Sequence, residues 1–286
     1  MSATFFRFVQ VEFPWPLGPP DGRYLMRPAG TPDGPAAYVI VFATLGVPER
    51  RRLAGRRKQH QAPPQPEPTP VSTGRGTVVD VGAPFGDEAQ ARAWLNTVGE
   101  GELSGGLEVL NRALHAFRLV TADPYLHTVG RRQALAARVG FGAGEQVADG
   151  LWTDARELLR ADGRQRRSRA LHPQARLAAV LGARELPLVC EELTLRARQD
   201  LDHRREREAA LQLLVALDAA LAELSREPTA DSLRDRLTQL RGQREAVAAA
   251  AQAALGGPLS ASEREIVVFT LGRIESALRA RAVANV

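Results

Sequence analysis

Lysine is almost missing from this chain: Lys58 stands alone against 37 arginines. Without a G-K-[ST] triplet there is no phosphate-binding P-loop. The single lysine lies in a proline-rich stretch rather than in a strand, so a kinase site has no ammonium to hold its phosphates. Cysteine is equally scarce. Cys190 alone cannot form a disulfide within the chain or a thiolate zinc cluster, and a reducing, cytoplasmic setting is expected. Its neighbours Leu188, Val189 and Leu193 mark it as a small buried hydrophobe. The five histidines, at 60, 115, 127, 172 and 203, include no pair spaced three or four apart. HExxH and G-x-S-x-G are absent, so no metal or other cofactor is expected. No apolar run approaches the roughly 18 residues of a membrane span. The opening MSATFFRFVQVEF lacks the basic and apolar blocks of a secretory signal, so none is expected.

The formal net charge of +5 rests on arginine. Together with abundant Ala, Gly, Pro and Val, that skew is what a GC-rich bacterial genome imposes through codon usage. The basic balance is therefore weaker evidence for a nucleic-acid partner than the same charge with balanced usage.

Aromatics divide the chain. Eight of the 15 fall within the first 42 residues, and only Phe269 follows Trp152. Ahead of that boundary, FFRFVQVEF, AAYVIVFATLG and GTVVDVG read as strands. Two helices interleave: one from about Asp87 carrying EAQARAWL, the other carrying GLEVLNRALHAFRLV with a stripe of Leu107, Leu110, Leu114 and Phe117. RRQALAARVGF and EQVADGLW read as two more strands. Between the second and third strands, six basic residues precede five prolines, so residues 48–73 are expected to form a disordered Pro/Arg-rich insertion.

Beyond Trp152 the pattern is helical. Leu211, Leu214, Leu217, Leu221 and Leu224 make one stripe; Leu233, Leu237 and Leu240 a second; Val267, Leu271, Ile274 and Leu278 a third. The apolar pattern lapses across DLDHRRERE, which predicts two antiparallel helices between Leu188 and Leu224. Ser260 with Glu263 has the spacing of a capping box. The fold class expected is α+β, with a mixed α/β domain over 1–152 and an all-α domain over 153–286.

RVGFGAGEQV, residues 138–147, is the one stretch that looks like a phosphate cradle. Its glycines at 140, 142 and 144 follow G-x-G-x-G rather than G-x-G-x-x-G, and no helix signal follows. They are read as a hairpin turn, with positive φ as the reason for glycine. A second group has Asn111, His115 and Arg118 at helical spacing, followed by Asp123, Tyr125, His127, Arg131 and Arg132. Such a His/Arg face holds an anion, supplies a histidine base, or is only solvated, with Tyr125 anchoring the loop to the core. An arginine several residues ahead of a histidine is a pattern of metal-independent RNases built on paired helices. Arg198–His203, Arg196–His203, Arg167–His172 and Arg166–His172 fit it, at a frequency near chance for so arginine-rich a chain.

Two basic clusters remain, Arg50–Lys58 and Arg160–Arg169, the second including Arg164, Arg166, Arg167 and Arg169. Neither interleaves aromatics, so contact with phosphates rather than base stacking is expected. The function expected is a non-catalytic cytoplasmic binding or scaffold protein. Its helical domain meets a protein partner, and its arginine segments add non-specific affinity for an anionic polymer such as nucleic acid. The alternative is a metal-independent hydrolase or RNase using Arg198 with His203, or His115 with His127.

Overall fold

Strict alternation in the first strand sets the architecture of the N-terminal part. Along FRFVQVEF, Val9, Val11 and Phe13 point to one side, and Phe8, Gln10 and Glu12 to the other. Both sides are buried or half-buried, so this strand must be central. In the computed structural model, which describes residues 4–28, 31–46, 71–158, 173–226 and 231–284, it is. The strands are β1 (Phe6–Phe13), β2 (Gly22–Met26), β3 (Tyr38–Leu45), β4 (Thr73–Asp80), β5 (Ala136–Gly142) and β6 (Asp154–Glu157). They form one antiparallel sheet in the order β2-β3-β4-β1-β5-β6.

Helices α1 (Glu88–Thr97) and α2 (Glu100–Thr121) belong to this part of the chain. Asp87 caps α1, accepting the Gln90 N–H at 2.8 Å. On α2, Leu103, Leu107, Leu110 and Leu114 recur at three- and four-residue steps and lie in one core with Val9, Val11 and Val139. The approach is close. A Cβ on Gly106 would sit 2.5 Å from Val9, and one on Gly76 2.8 Å from Leu110. The opposite face of the sheet carries a smaller core, in which Val147, Ala148 and Trp152 pack on Phe8, Val39, Val41 and Val79. Trp152 stacks on Phe8 with ring centres 5.6 Å apart.

The chain divides into two compact units, Met1–Ala161 and Asp162–Val286. Strand β6 pairs with β5 beyond Trp152, so the N-terminal sheet extends past the point where the aromatics thin out. The expected insertion falls mostly on residues 47–70, outside the described residues. Its last position, Thr73, opens β4 opposite Leu45.

The glycine stretch needs correcting. EQVAD is a short 3-10 helix (Glu145–Asp149), not a strand, and the return strand is β6. Gly142 is not a positive-φ residue; only Gly144 of the three is, at +95°. Gly140 and Gly142 are required by space. A Cβ on Gly140 would meet the Asp154 carbonyl oxygen at 2.5 Å, and one on Gly142 would meet Val147 Cγ1 at 2.5 Å.

Five helices are described in the second unit: α3 (Pro173–Leu181), α4 (Val189–Asp202), α5 (Glu206–Leu224), α6 (Asp231–Gly256) and α7 (Ala261–Ala284). The lapse at DLDHRRERE is the α4–α5 turn. Consecutive helices from α4 to α7 pack on one another, and α7 returns against α4 and α5, closing a bundle. The buried face of α5 is not the leucine stripe read from sequence. Leu211 is exposed, and Ala209, Leu213, Ala216, Leu217, Ala220 and Leu224 form the interior. Because α5 touches α4, α6 and α7, alanines count as core wherever a neighbour comes close. The box at Ser260 is present: its N–H and hydroxyl both donate to Glu263 at 2.7 Å.

Candidate functional site

Two glutamates on α4 and its approach organise the helical unit's most open feature. Glu191 accepts both Arg176 Nη2 (2.6 Å) and Arg281 Nη1 (3.3 Å), while Glu185 takes Arg176 Nε at 2.9 Å. These pairs tie α3 to α4 and α7 around a nearly buried Arg281. One step along, Arg198 grips Glu275 through a fork of 2.7 and 3.1 Å, again joining α4 to α7. Between the two sets of ion pairs the helices leave a groove of 640 Å³, lined mainly by apolar atoms from Leu177, Val180, Leu188, Leu195 and Leu278. Leu177 and Leu195 are 57% and 67% exposed, and Leu181, Leu186 and Val189 add further exposed apolar surface on α3 and before and at the start of α4. Contiguous apolar surface of this kind marks a place of association rather than ordinary surface scatter.

The start of α4 is built without its own cap. Leu188 has no side-chain acceptor, and Glu223 reaches over from α5 instead. Its carboxylate takes the Val189 N–H at 3.0 Å and the Cys190 N–H at 2.9 Å. Burial opposes ionisation of Glu223, but these hydrogen bonds prevail and hold its carboxyl below the usual 4.5. The same geometry silences Cys190. Burial, then the hydrogen bond to Glu223, pushes its thiol up to about 12, so it has no thiolate character near neutrality.

The residues singled out from sequence go elsewhere. Asn111 does not share a solvated face with Arg118. It is buried, donates to the Val129 carbonyl at 2.8 Å and accepts the Val129 N–H at 2.7 Å, pinning the loop after α2. Tyr125 is 82% exposed and does not anchor that loop; Leu126 packs on the core in its place. His115 is half-buried, while Arg118, His127 and Arg132 are exposed. Arg131 donates to the Leu158 carbonyl. Of the other candidate pair, Arg198 is engaged by Glu275, and His203 Nδ1 lies 2.6 Å from the Gln199 carbonyl. None of these residues lines the groove. Arg164, Arg166, Arg167 and Arg169 lie outside the described residues, as do His172 and the cluster from Arg50 to Lys58. Among the described residues no three His, Cys, Asp or Glu side chains gather in a metal-binding arrangement.

Sequence reasoning missed the groove because leucines at 177, 195 and 278 belong to three helices, and no single periodicity reports the gap between them. The one available signal was the excess of leucine on α3 and α4 over what one buried stripe requires. Comparisons with family models, curated proteins and solved structures match nothing to this chain.

Proposed function

We propose that this is a non-catalytic binding protein of the cytoplasm whose helical unit docks a protein partner in the groove between α3, α4 and α7. The observation that carries the reading is the exposure of Leu177 and Leu195 over an apolar floor braced on both sides by ion pairs. Bracing keeps the groove open without a partner, which lowers the ordering cost of binding. The occupant that fits is an amphipathic helix: its apolar ridge covers the leucines, and its polar flanks meet the exposed Glu192 and Arg279 at the rim. In this reading the arginine clusters at 50–58 and 160–169 add salt-sensitive, non-specific affinity for an anionic polymer. No helix among the described residues is long and apolar enough to cross a membrane.

A synthetic amphipathic helix with leucines at i, i+3, i+4 and i+7, labelled for fluorescence anisotropy, tests the groove. Binding by the full chain should be lost in Leu195→Glu, a surface change that leaves the helical circular dichroism intact. Equal binding by the variant would refute the site. Should light scattering show a dimer that Leu195→Glu dissolves, the occupant is a second copy and the partner reading falls.

A further inference from the structure

The N-terminal unit holds a separate cavity of 310 Å³ between α2 and the end of the sheet where Arg7, Tyr38 and Asp80 lie. That volume sits at the lower end of the range for small-molecule sites, roughly 300–1,000 Å³. Its walls are unusually polar for so sheltered a place. Arg7 from β1, Asp80 from β4, and Glu102, Glu108 and Arg112 from α2 all line it, with the Tyr38 ring from β3.

Most of these charges are already spoken for. Asp80 Oδ1 accepts the N–H groups of Gly82 and Ala83 at 3.1 and 3.2 Å, and Oδ2 faces Arg7 Nε at 3.5 Å. The Arg7 guanidinium also lies over the Phe85 and Trp94 rings, at 5.4 and 5.8 Å. The Arg112 guanidinium sits 5.9 Å from the Tyr38 ring centre. Glu102 is the exception. It is half-buried, yet it makes no hydrogen bond and no ion pair among the described residues. Three carboxyls and two guanidiniums leave the cavity one positive charge short.

The helix wall is shaped to match. Gly101 and Gly105, one turn apart on α2, both line the cavity, and a Cβ built on either meets nothing within 4 Å. Glycine weakens a helix relative to alanine, and no neighbour demands it at these two positions. Gly106 differs, since Val9 leaves it no room.

We propose that this cavity binds a small organic cation, an amine or guanidinium compound, with the Glu102 carboxylate as its counter-ion and the Gly101–Gly105 wall as the surface it lies against. Burial raises the Glu102 pKa above 4.5, with Arg7 lowering it and Asp80 raising it by smaller amounts. A bound cation reverses the balance, so binding expels the proton that Glu102 still carries at mildly acidic pH.

Agmatine, which has an amine at one end and a guanidinium at the other, is the probe, and glutamate is the anionic control. Calorimetry on the full chain should show agmatine binding that weakens as pH falls, with glutamate silent. Glu102→Gln should cost about tenfold or more in affinity and remove the pH dependence. Gly105→Leu should fill the cavity and abolish binding while tryptophan emission stays native. The proposal is overturned if agmatine does not bind at millimolar concentration, if glutamate binds instead, or if both folded variants bind agmatine like the parent.

Discussion

Glu102 and Glu223 are both partly buried glutamates, one in each unit, and their fates are opposite. Glu223 spends its oxygens on two backbone N–H groups at the start of α4, and its pKa falls. Glu102 faces a cavity with no hydrogen bond among the described residues, and its pKa rises. The first is a structural cap; the second costs stability that only a ligand returns. The cores differ in a parallel way. The N-terminal unit is filled by Phe8, Phe13, Phe85 and Phe141 against β-branched residues, whereas the helical unit relies on leucine and alanine. Large rings span the gap between a sheet and its helices, while alanine lets helices draw together. Either route reaches the packing density a stable interior needs.

The strongest way to break this contrast is to empty one core at a time. Trp15, Trp94 and Trp152 all lie in the N-terminal unit, so tryptophan emission follows that unit, while helical circular dichroism is weighted to the other. Phe141→Ala should destabilise the sheet unit by about 3–5 kcal/mol and shift the emission transition in urea. Leu217→Ala, fully buried on α5, should cost about 2–5 kcal/mol and shift the circular-dichroism transition instead. If both probes move together in both variants, the two cores are not separate.

Gly142→Ala is the next test in size. Its Cβ would sit 2.5 Å from Val147 Cγ1 and 3.2 Å from the Trp152 backbone, so a loss of about 1–3 kcal/mol is expected from overpacking. Adding Val147→Ala to the same chain should recover part of that loss, because it removes the closest atom. A strained backbone would show no such recovery.

The smallest effects are those of pH, and they have opposite signs. Glu223 has a lowered folded pKa, so its capping contribution is complete above 4.5 and is lost as pH falls through the folded value. Glu223→Gln should therefore flatten the acid limb of the circular-dichroism transition. Glu102 has a raised folded pKa, so its penalty is absent below 4.5 and grows as pH rises through the folded value. Glu102→Gln should make the N-terminal unit slightly more stable at pH 7 and no different at pH 4. A destabilised Glu102→Gln at neutral pH would show that this carboxylate is a structural partner after all.

Much of the fold was legible because it depends on local patterns. Alternation marked β1, apolar runs marked β3 and β4, and Asp87 and Ser260 announced the helices they cap. The break at DLDHRRERE separated α4 from α5. Strand β2 escaped notice: GRYLM lies on the sheet edge with three of its five residues exposed, so burial imposed no pattern on it. EQVAD was misread as a strand because a short apolar segment packing on a sheet face looks the same in sequence as one entering the sheet.

What the sequence by itself determined is the class of each unit, since periodicity is set by which side of a segment meets water. It also determined the exclusions: with one lysine and one cysteine, whole families of site chemistry have no residues to run on. The tertiary structure alone decided where the polar groups went. Asn111 and His115 share a helical spacing, but only the loop returning at Val129 makes Asn111 a buried clamp. Arg198 and His203 sit close in sequence, yet Glu275 arrives from the last helix to occupy the arginine. Glu102 looked like one more charge on a helix end, and it became a candidate ligand only because Gly101, Gly105 and the end of the sheet leave a cavity before it. Such pairings join residues tens of positions apart, and no local pattern carries them.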